Sequence, residues 1–199
     1  LWHCEKSAGS VWGVPLKIVG GGENPVLVVE PDGTLHAAFE AMGNNDIYYL
    51  FRPVGDTWSQ AMNVSNNSGY SRCASLAVDS SGGVHLVWLE VFEGQSYYAF
   101  KPSGDSLFQP AEVLSDVSGD PQLDSEIDGH LHVAWVSSGD VYYIHKQPSG
   151  NWSSAENISN TTGTTWGIPH LAHDSDGRIH IVWSEDAPDN PEIYYDVLP

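Results

Sequence analysis

Positive charge is scarce in this chain. Its 199 residues include seven Lys and Arg against 26 Asp and Glu, a formal net charge of −19. Such a surface repels phosphate backbones and anionic lipid headgroups, which argues against nucleic-acid partners and membrane insertion or adsorption. The acids are spread over turns and form no run, so no disordered acidic tail is expected. No apolar run of membrane-spanning length occurs. No stretch carries a helical period, and no Gly-x-Ser-x-Gly, His-Glu-x-x-His or phosphate-binding loop is present. Cysteine is limited to Cys4 and Cys73. The first residue is Leu, which reads as a mature form or a fragment.

What is abundant is repetition. Leu35-His36-Ala37-Ala38-Phe39, Val84-His85-Leu86-Val87-Trp88, Leu131-His132-Val133-Ala134-Trp135 and Ile179-His180-Ile181-Val182-Trp183 are four versions of one segment, with the histidines 49, 47 and 48 residues apart. Six residues before each histidine stands an acid (Glu30, Asp79, Glu126, Asp174), and three before it a glycine (Gly33, Gly82, Gly129, Gly177). A tyrosine pair follows (Tyr48-Tyr49, Tyr97-Tyr98, Tyr142-Tyr143, Tyr194-Tyr195), then an aromatic and a short apolar run: Trp58 to Val64, Phe108 to Leu114, Trp152 to Ile158. The fourth unit ends before this last piece. A matching piece stands at the other end of the chain, from Trp12 to Val19.

Short alternating segments broken by Asp-Gly and Gly-Gly steps read as strands joined by hairpins. The first unit predicts strands at about 25–30, 34–40, 46–52 and 57–64. Four strands per repeat of this length describe a propeller blade. The expected fold is all-β: a four-bladed β-propeller of antiparallel four-stranded blades, the last closed by the N-terminal strand. Residues 1–10 form a tail and 11–199 one domain. Blade 1 covers about 25–65, blade 2 about 74–115, blade 3 about 121–159, and blade 4 about 169–197 plus 11–19. An eight-bladed ring from two chains, or outer-strand exchange between chains, is the alternative.

From Val11 to Val197 the repeat resembles that of secreted sialidase-like propellers, the superfamily with BNR or Asp-box repeats. Their Asp box, Ser-x-Asp-x-Gly-x-x-Trp, lies on the turn into the outer strand. Here that turn reads Gly55-Asp56-Thr57-Trp58, Gly104-Asp105-Ser106-Leu107-Phe108 and Gly150-Asn151-Trp152, keeping the glycine, a polar residue and the aromatic. Sialidase chemistry would need three arginines converging on a carboxylate, with a Tyr/Glu nucleophile pair and an acid. Arg52, Arg72 and Arg178 stand at three different places in the repeat. Convergence, and with it catalysis, is not expected.

His36, His85, His132 and His180 could ring a metal, but a repeated histidine on a strand packed on both faces reads as a hydrogen-bonding strut to the acid six residues earlier. The tyrosine pairs read as core. Asp124 to Gly129 and Asp174 to Gly177 have the oxygen-rich look of a calcium loop without the distal acid, so hairpin turns are expected and no cofactor. Asn63, Asn66, Asn151, Asn157 and Asn160 head Asn-x-Ser/Thr sequons and are glycosylation candidates.

Function is expected where the repeat fails, in loops on one face. Tyr70, Arg72, Phe92 and Trp166, beside Glu90, Glu93, Asp186 and Asp189, would make an aromatic, acidic surface suited to a glycan or a protein. Cys4 is expected at the bottom of the fourth blade and Cys73 at the top of the second. A bond between them within one chain would be strained, and a bond between molecules would stack propellers head to tail. The composition fits a secreted or cell-surface protein. The reading is a non-catalytic binding or assembly module, its partner another copy, a glycan or a protein, with a lectin and then a glycosidase as alternatives.

Overall fold

The computed structural model describes residues 1–114, 118–126, 128–161, 164–186 and 191–198. Those residues contain no helix; they form seventeen strands in five antiparallel sheets. The first sheet is a two-residue ladder of β1 (Trp2–His3) and β2 (Leu16–Lys17). Next come β3 (Gly22–Val29), β4 (Leu35–Ala41), β5 (Ile47–Arg52) and β6 (Met62–Asn63), paired in chain order as blade 1. Blade 2 is β7 (Ser71–Val78), β8 (Val84–Glu90), β9 (Gln95–Lys101) and β10 (Glu112–Leu114), and blade 3 is β11 (Gln122–Ser125), β12 (Leu131–Ser137), β13 (Asp140–Lys146) and β14 (Glu156–Asn157). Blade 4 has three strands, β15 (Thr164–His173), β16 (Ile179–Asp186) and β17 (Pro191–Leu198).

The histidine strand is the second of each blade. In blade 2 all seven of its residues are buried, because neighbouring blades cover both faces. Ala38, Tyr49, Leu76, Leu86 and Trp88 share the core between blades 1 and 2, and Val87, Tyr98, Val133 and Trp135 that between blades 2 and 3. The first strands β3, β7, β11 and β15 touch one another in sequence and form the inner rim. Each is an edge strand, so a proline costs no ladder bond, and Pro25 and Pro169 lie at register shifts there. Before each histidine hairpin the acid and glycine build the turn: Gly33, Gly82, Gly129 and Gly177 take φ of 90°, 80°, 90° and 80°, where a Cβ would be strained. Their N–H groups donate to the backbone carbonyls of Glu30, Asp79, Glu126 and Asp174.

Residues 11–19 do not pair beside 192–197. β2 pairs with β1, so the expected ten-residue tail is part of the fold. The N-terminal segment is the second half of a blade, a copy of residues 47–64 displaced by 46 positions. The Ile18 N–H donates to Leu1 (3.0 Å) as Val64 does to Ile47 (2.8 Å), and Gly13 to Glu5 as Ser59 does to Phe51 (both 2.8 Å). Leu1, Ile18 and Val19 pack on Phe39 and Leu50 of blade 1. Closing a short loop onto Trp2–His3 costs less chain entropy than reaching the far end of the molecule. Among the described residues β17 is therefore an edge, and the sheets do not close into a ring.

Candidate functional site

The fourfold histidine is a strut in every blade. The Tyr49, Tyr98, Tyr143 and Tyr195 hydroxyls lie 2.6, 2.8, 2.6 and 2.7 Å from Nδ1 of His36, His85, His132 and His180. Each Nε2 meets the acid of its own hairpin: Glu30 at 2.6 Å, Asp79 at 3.0 Å, Glu126 at 2.8 Å and Asp174 at 3.0 Å. A carboxylate only accepts, so Nε2 carries the proton and Nδ1 accepts from tyrosine. Burial holds His36, His85 and His132 below the ordinary imidazole range, opposed by the adjacent acid. Burial also pushes Tyr49, Tyr98 and Tyr143 upward, which keeps them as donors. Among the described residues no group of three or more His, Cys, Asp or Glu is arranged to hold a metal. Within their own turns, Asp128 Oδ1 accepts from the His130 N–H and Asp174 Oδ1 accepts from the Asp176 and Arg178 N–H groups.

At the opposite strand ends, called the top, part of the expected surface assembles. Tyr70 and Phe92 meet with ring centroids 6.4 Å apart, Phe92 exposed, and the Val91 N–H donates to the Tyr70 carbonyl at 2.8 Å. Beside them the Tyr97 hydroxyl donates to Glu93, which raises Tyr97 to about 12. Arg72, at the start of β7, reaches Asp120 of the next blade at 3.3 Å. Trp166 is exposed on β15 of blade 4, whereas the Tyr70–Phe92 pair belongs to blade 2. Asp189 lies outside the described residues. Glu90, expected on the surface, is buried, and accepts from Trp88 at 2.6 Å and Asn67 at 2.7 Å.

Two acids not singled out from the sequence complete the top. Buried Glu40 accepts the Cys73 N–H from blade 2 at 2.7 Å, and Asp120 holds Arg72. The available signal is an acid one residue past the aromatic of the histidine strand at Glu40 and two residues past it at Glu90 and Glu185. Blade 3 has Ser137 there, so the pattern is incomplete. In blade 4 the same site is unfinished: Glu185 accepts from Thr161, while its Oε2, Thr165 Oγ1 and Trp183 Nε1 are buried without partners.

The arginines stay apart. Arg52 pairs with Glu5, Arg72 with Asp120, and Arg178 with Asp174 and Asp176. Both thiols are free: Cys4 donates to the Gly13 carbonyl at 3.0 Å in the half-blade on blade 1, and Cys73 is half-buried on blade 2. No bond joins Cys4 and Cys73 within the chain, in line with the strain expected of one. Burial and then Asp120 push the Cys73 thiol up to about 12, which suppresses the thiolate that disulfide exchange needs.

Four sequon asparagines belong to a repeated clasp. Asn63 and Ser65 both donate to Asp46, at 2.6 and 3.1 Å, and Asn157 and Ser159 both donate to Asp140, at 3.0 Å each. The Asn66 and Asn160 N–H groups close on the Asn63 and Asn157 side chains at 2.9 Å. The Asn-x-Ser spelling is thus set by turn geometry at Asn63 and Asn157, where the amide nitrogen that would carry a glycan is already engaged. Asn66, Asn151 and Asn160 are exposed.

No protein-family model matches the sequence, and no curated protein matches it. Solved structures do. The intramolecular trans-sialidase of Ruminococcus gnavus superposes with a TM-score of 0.65 at 10% identity over 95% of this chain and 48% of its own. A protein of unknown function from Dyadobacter fermentans gives 0.66 at 12% over 92% and 64%, and an endo-arabinase of Bacteroides thetaiotaomicron 0.56 at 15% over 96% and 82%. The chain spans less than half the length of the trans-sialidase. At such identities the likeness speaks for the fold alone, and that fold is a stack of β-propeller blades.

Proposed function

We propose that this chain is a non-catalytic carbohydrate-binding module of a secreted or surface protein, reading its ligand at the top of blades 1 to 3. The observation that carries the reading is the Tyr70–Phe92 pair, an exposed aromatic platform flanked by Glu93 and by the Arg72–Asp120 pair. Aromatic faces stack on the apolar face of a sugar ring, and the flanking carboxylates accept its hydroxyls. The solved neighbours named as sialidases and as an endo-arabinase act on sugars with the same blade stack, which favours the ligand class. Their abundance also keeps glycoside hydrolysis as the second reading. Against it stand the three separately paired arginines. The reading assigns no cofactor.

A glycan array tests it. The native chain is expected to bind a restricted set of glycans, with Phe92→Ala weakening binding about tenfold or more and Trp166→Ala leaving it unchanged. Stacking losses of this size follow from removing one aromatic anchor. A native chain that binds no glycan sinks the reading, and turnover of chromogenic glycosides by the native chain replaces it with the enzyme.

A further inference from the structure

The acid of the histidine hairpin is Glu30 in blade 1 and Glu126 in blade 3, but Asp79 in blade 2. One methylene changes what the following blade meets. A Cβ at Gly82 would lie 3.3 Å from Glu30 Oε2, and one at Gly177 would lie 3.2 Å from Glu126 Oε2, so the longer acid reaches the next hairpin. Gly129 is the equivalent glycine beside blade 2. Among the described residues, a Cβ there would meet only Pro148 within 4 Å. Asp79 is held in its own turn by the Ser81 and Gly83 N–H groups, at 2.8 and 2.9 Å, and stops short of blade 3.

A lysine at the end of the third strand widens the difference. Lys101, on β9, is buried, with Nζ 6.0 Å from the centre of the Phe51 ring of blade 1. Lys146 holds the same place on β13, since it lies opposite Leu131 as Lys101 lies opposite Val84. Its Nζ donates instead to the Gly150 carbonyl of its own turn, at 2.8 Å. Between blades 2 and 3 this leaves a cleft of about 360 Å³, at the hairpin end of the blades and opposite the top.

We propose that this cleft is a saccharide site in its own right, separate from the Tyr70–Phe92 platform. Its lining sets acceptors and donors side by side. Glu112 accepts from Trp152 Nε1 through Oε1 at 3.2 Å, and Asp128 accepts from His130 through Oδ1. Among the described residues the second oxygen of each is open to a ligand. Lys146 keeps donors beyond its bond to Gly150, and the Gln109 and Gln147 side chains line the same space. A simple cation there would meet Lys146, and a simple anion would meet Glu112 and Asp128. A sugar hydroxyl both donates and accepts, so it suits a lining of mixed sign. Phe100, stacked on His85 with centroids 4.7 Å apart, supplies an apolar wall together with Pro110 and Pro148. Apolar walls with a few convergent polar groups make a small-molecule site, and a volume at the small end of the range selects a terminal sugar unit. The cleft shares no residue with the platform, so either site stands if the other fails.

The test is a titration of the full chain with free glucose, galactose, mannose, arabinose and N-acetylglucosamine, read at the Gln109 and Gln147 side-chain amides in proton–nitrogen correlation spectra. At least one sugar is expected to shift both signals saturably, with a Kd of about 1 mM. Asp79→Glu gives blade 2 the acid that blades 1 and 3 carry. It is expected to narrow the cleft and weaken binding about tenfold or more, with no fall in the circular-dichroism melt. Glu112→Ala, at an exposed position, is expected to weaken binding about fivefold or more. Phe92→Ala, at the other end of the blades, is expected to leave these shifts as they are. No shift of either glutamine by any of the sugars up to about 100 mM overturns the proposal, and so do shifts confined to residues 91–93. Binding that is equally tight in Asp79→Glu and Glu112→Ala overturns it as well. A response of the two glutamines to free lysine or glycine, and to no sugar, overturns the ligand class.

Discussion

Each of the four histidines sits between a tyrosine hydroxyl and a carboxylate, and the cost of losing one partner depends on burial. Tyr98→Phe leaves Nδ1 of buried His85 without a donor, and is expected to lower stability by about 1–3 kcal/mol in urea unfolding. Tyr195→Phe removes the equivalent bond at an open edge, where water replaces it, and the expected loss is below about 1 kcal/mol. The same histidines set an acid limit. His36, His85 and His132 have folded-state pKa values depressed by burial, so the unfolded chain binds protons first as the pH falls. Their contribution is fully present above the ordinary value of about 6.5 and is lost as the pH falls below it toward the folded values. Urea midpoints at neutral pH should exceed those near pH 5, and equal midpoints would refute the neutral strut. The spacing of acid, glycine, histidine and tyrosine makes the strut legible in the sequence, because one hairpin brings all four together. The Glu40–Cys73 bond is not legible, since its partners are 33 positions apart and no motif joins them.

At the scale of elements, the outer strand is the least regular part of a blade, two or three residues long, and the turn beyond it does much of the fastening. In blade 1 that turn hangs on buried Asp46, which gathers Asn44, Asn63 and Ser65. Asn63→Ala is expected to cost about 1–3 kcal/mol by leaving part of this carboxylate unsatisfied, while exposed Asn151→Ala stays within about 0.5 kcal/mol. Thermal melts of the two variants decide between a structural and a purely surface role for the sequon. Strands 1 to 3 of the first unit fall within three residues of their sequence-based bounds, because alternation and hairpin glycines mark them. The outer strand is shorter than its apolar run suggests, since only the residues facing the tyrosine pair enter the ladder.

For the whole molecule, a net charge of −19 is a self-repulsion that the compact state bears more heavily than the extended chain. Added salt screens it, and the melting temperature is expected to rise between low ionic strength and about 0.5 M sodium chloride. A melting temperature that falls would show that the pairs Arg52–Glu5 and Arg72–Asp120 outweigh the repulsion. By itself the sequence determined the blade, its strand order, its turns and its strut, because each of these is built from residues within one repeat. Where the N-terminal outer strand goes was decided only in three dimensions. Its pattern fits the edge of blade 4 and the back of blade 1 alike, and the sequence holds no measure of which is nearer. A short loop to Trp2–His3 and the apolar cover over Phe39 settled it, leaving at β17 an edge that the repeat alone could not reveal.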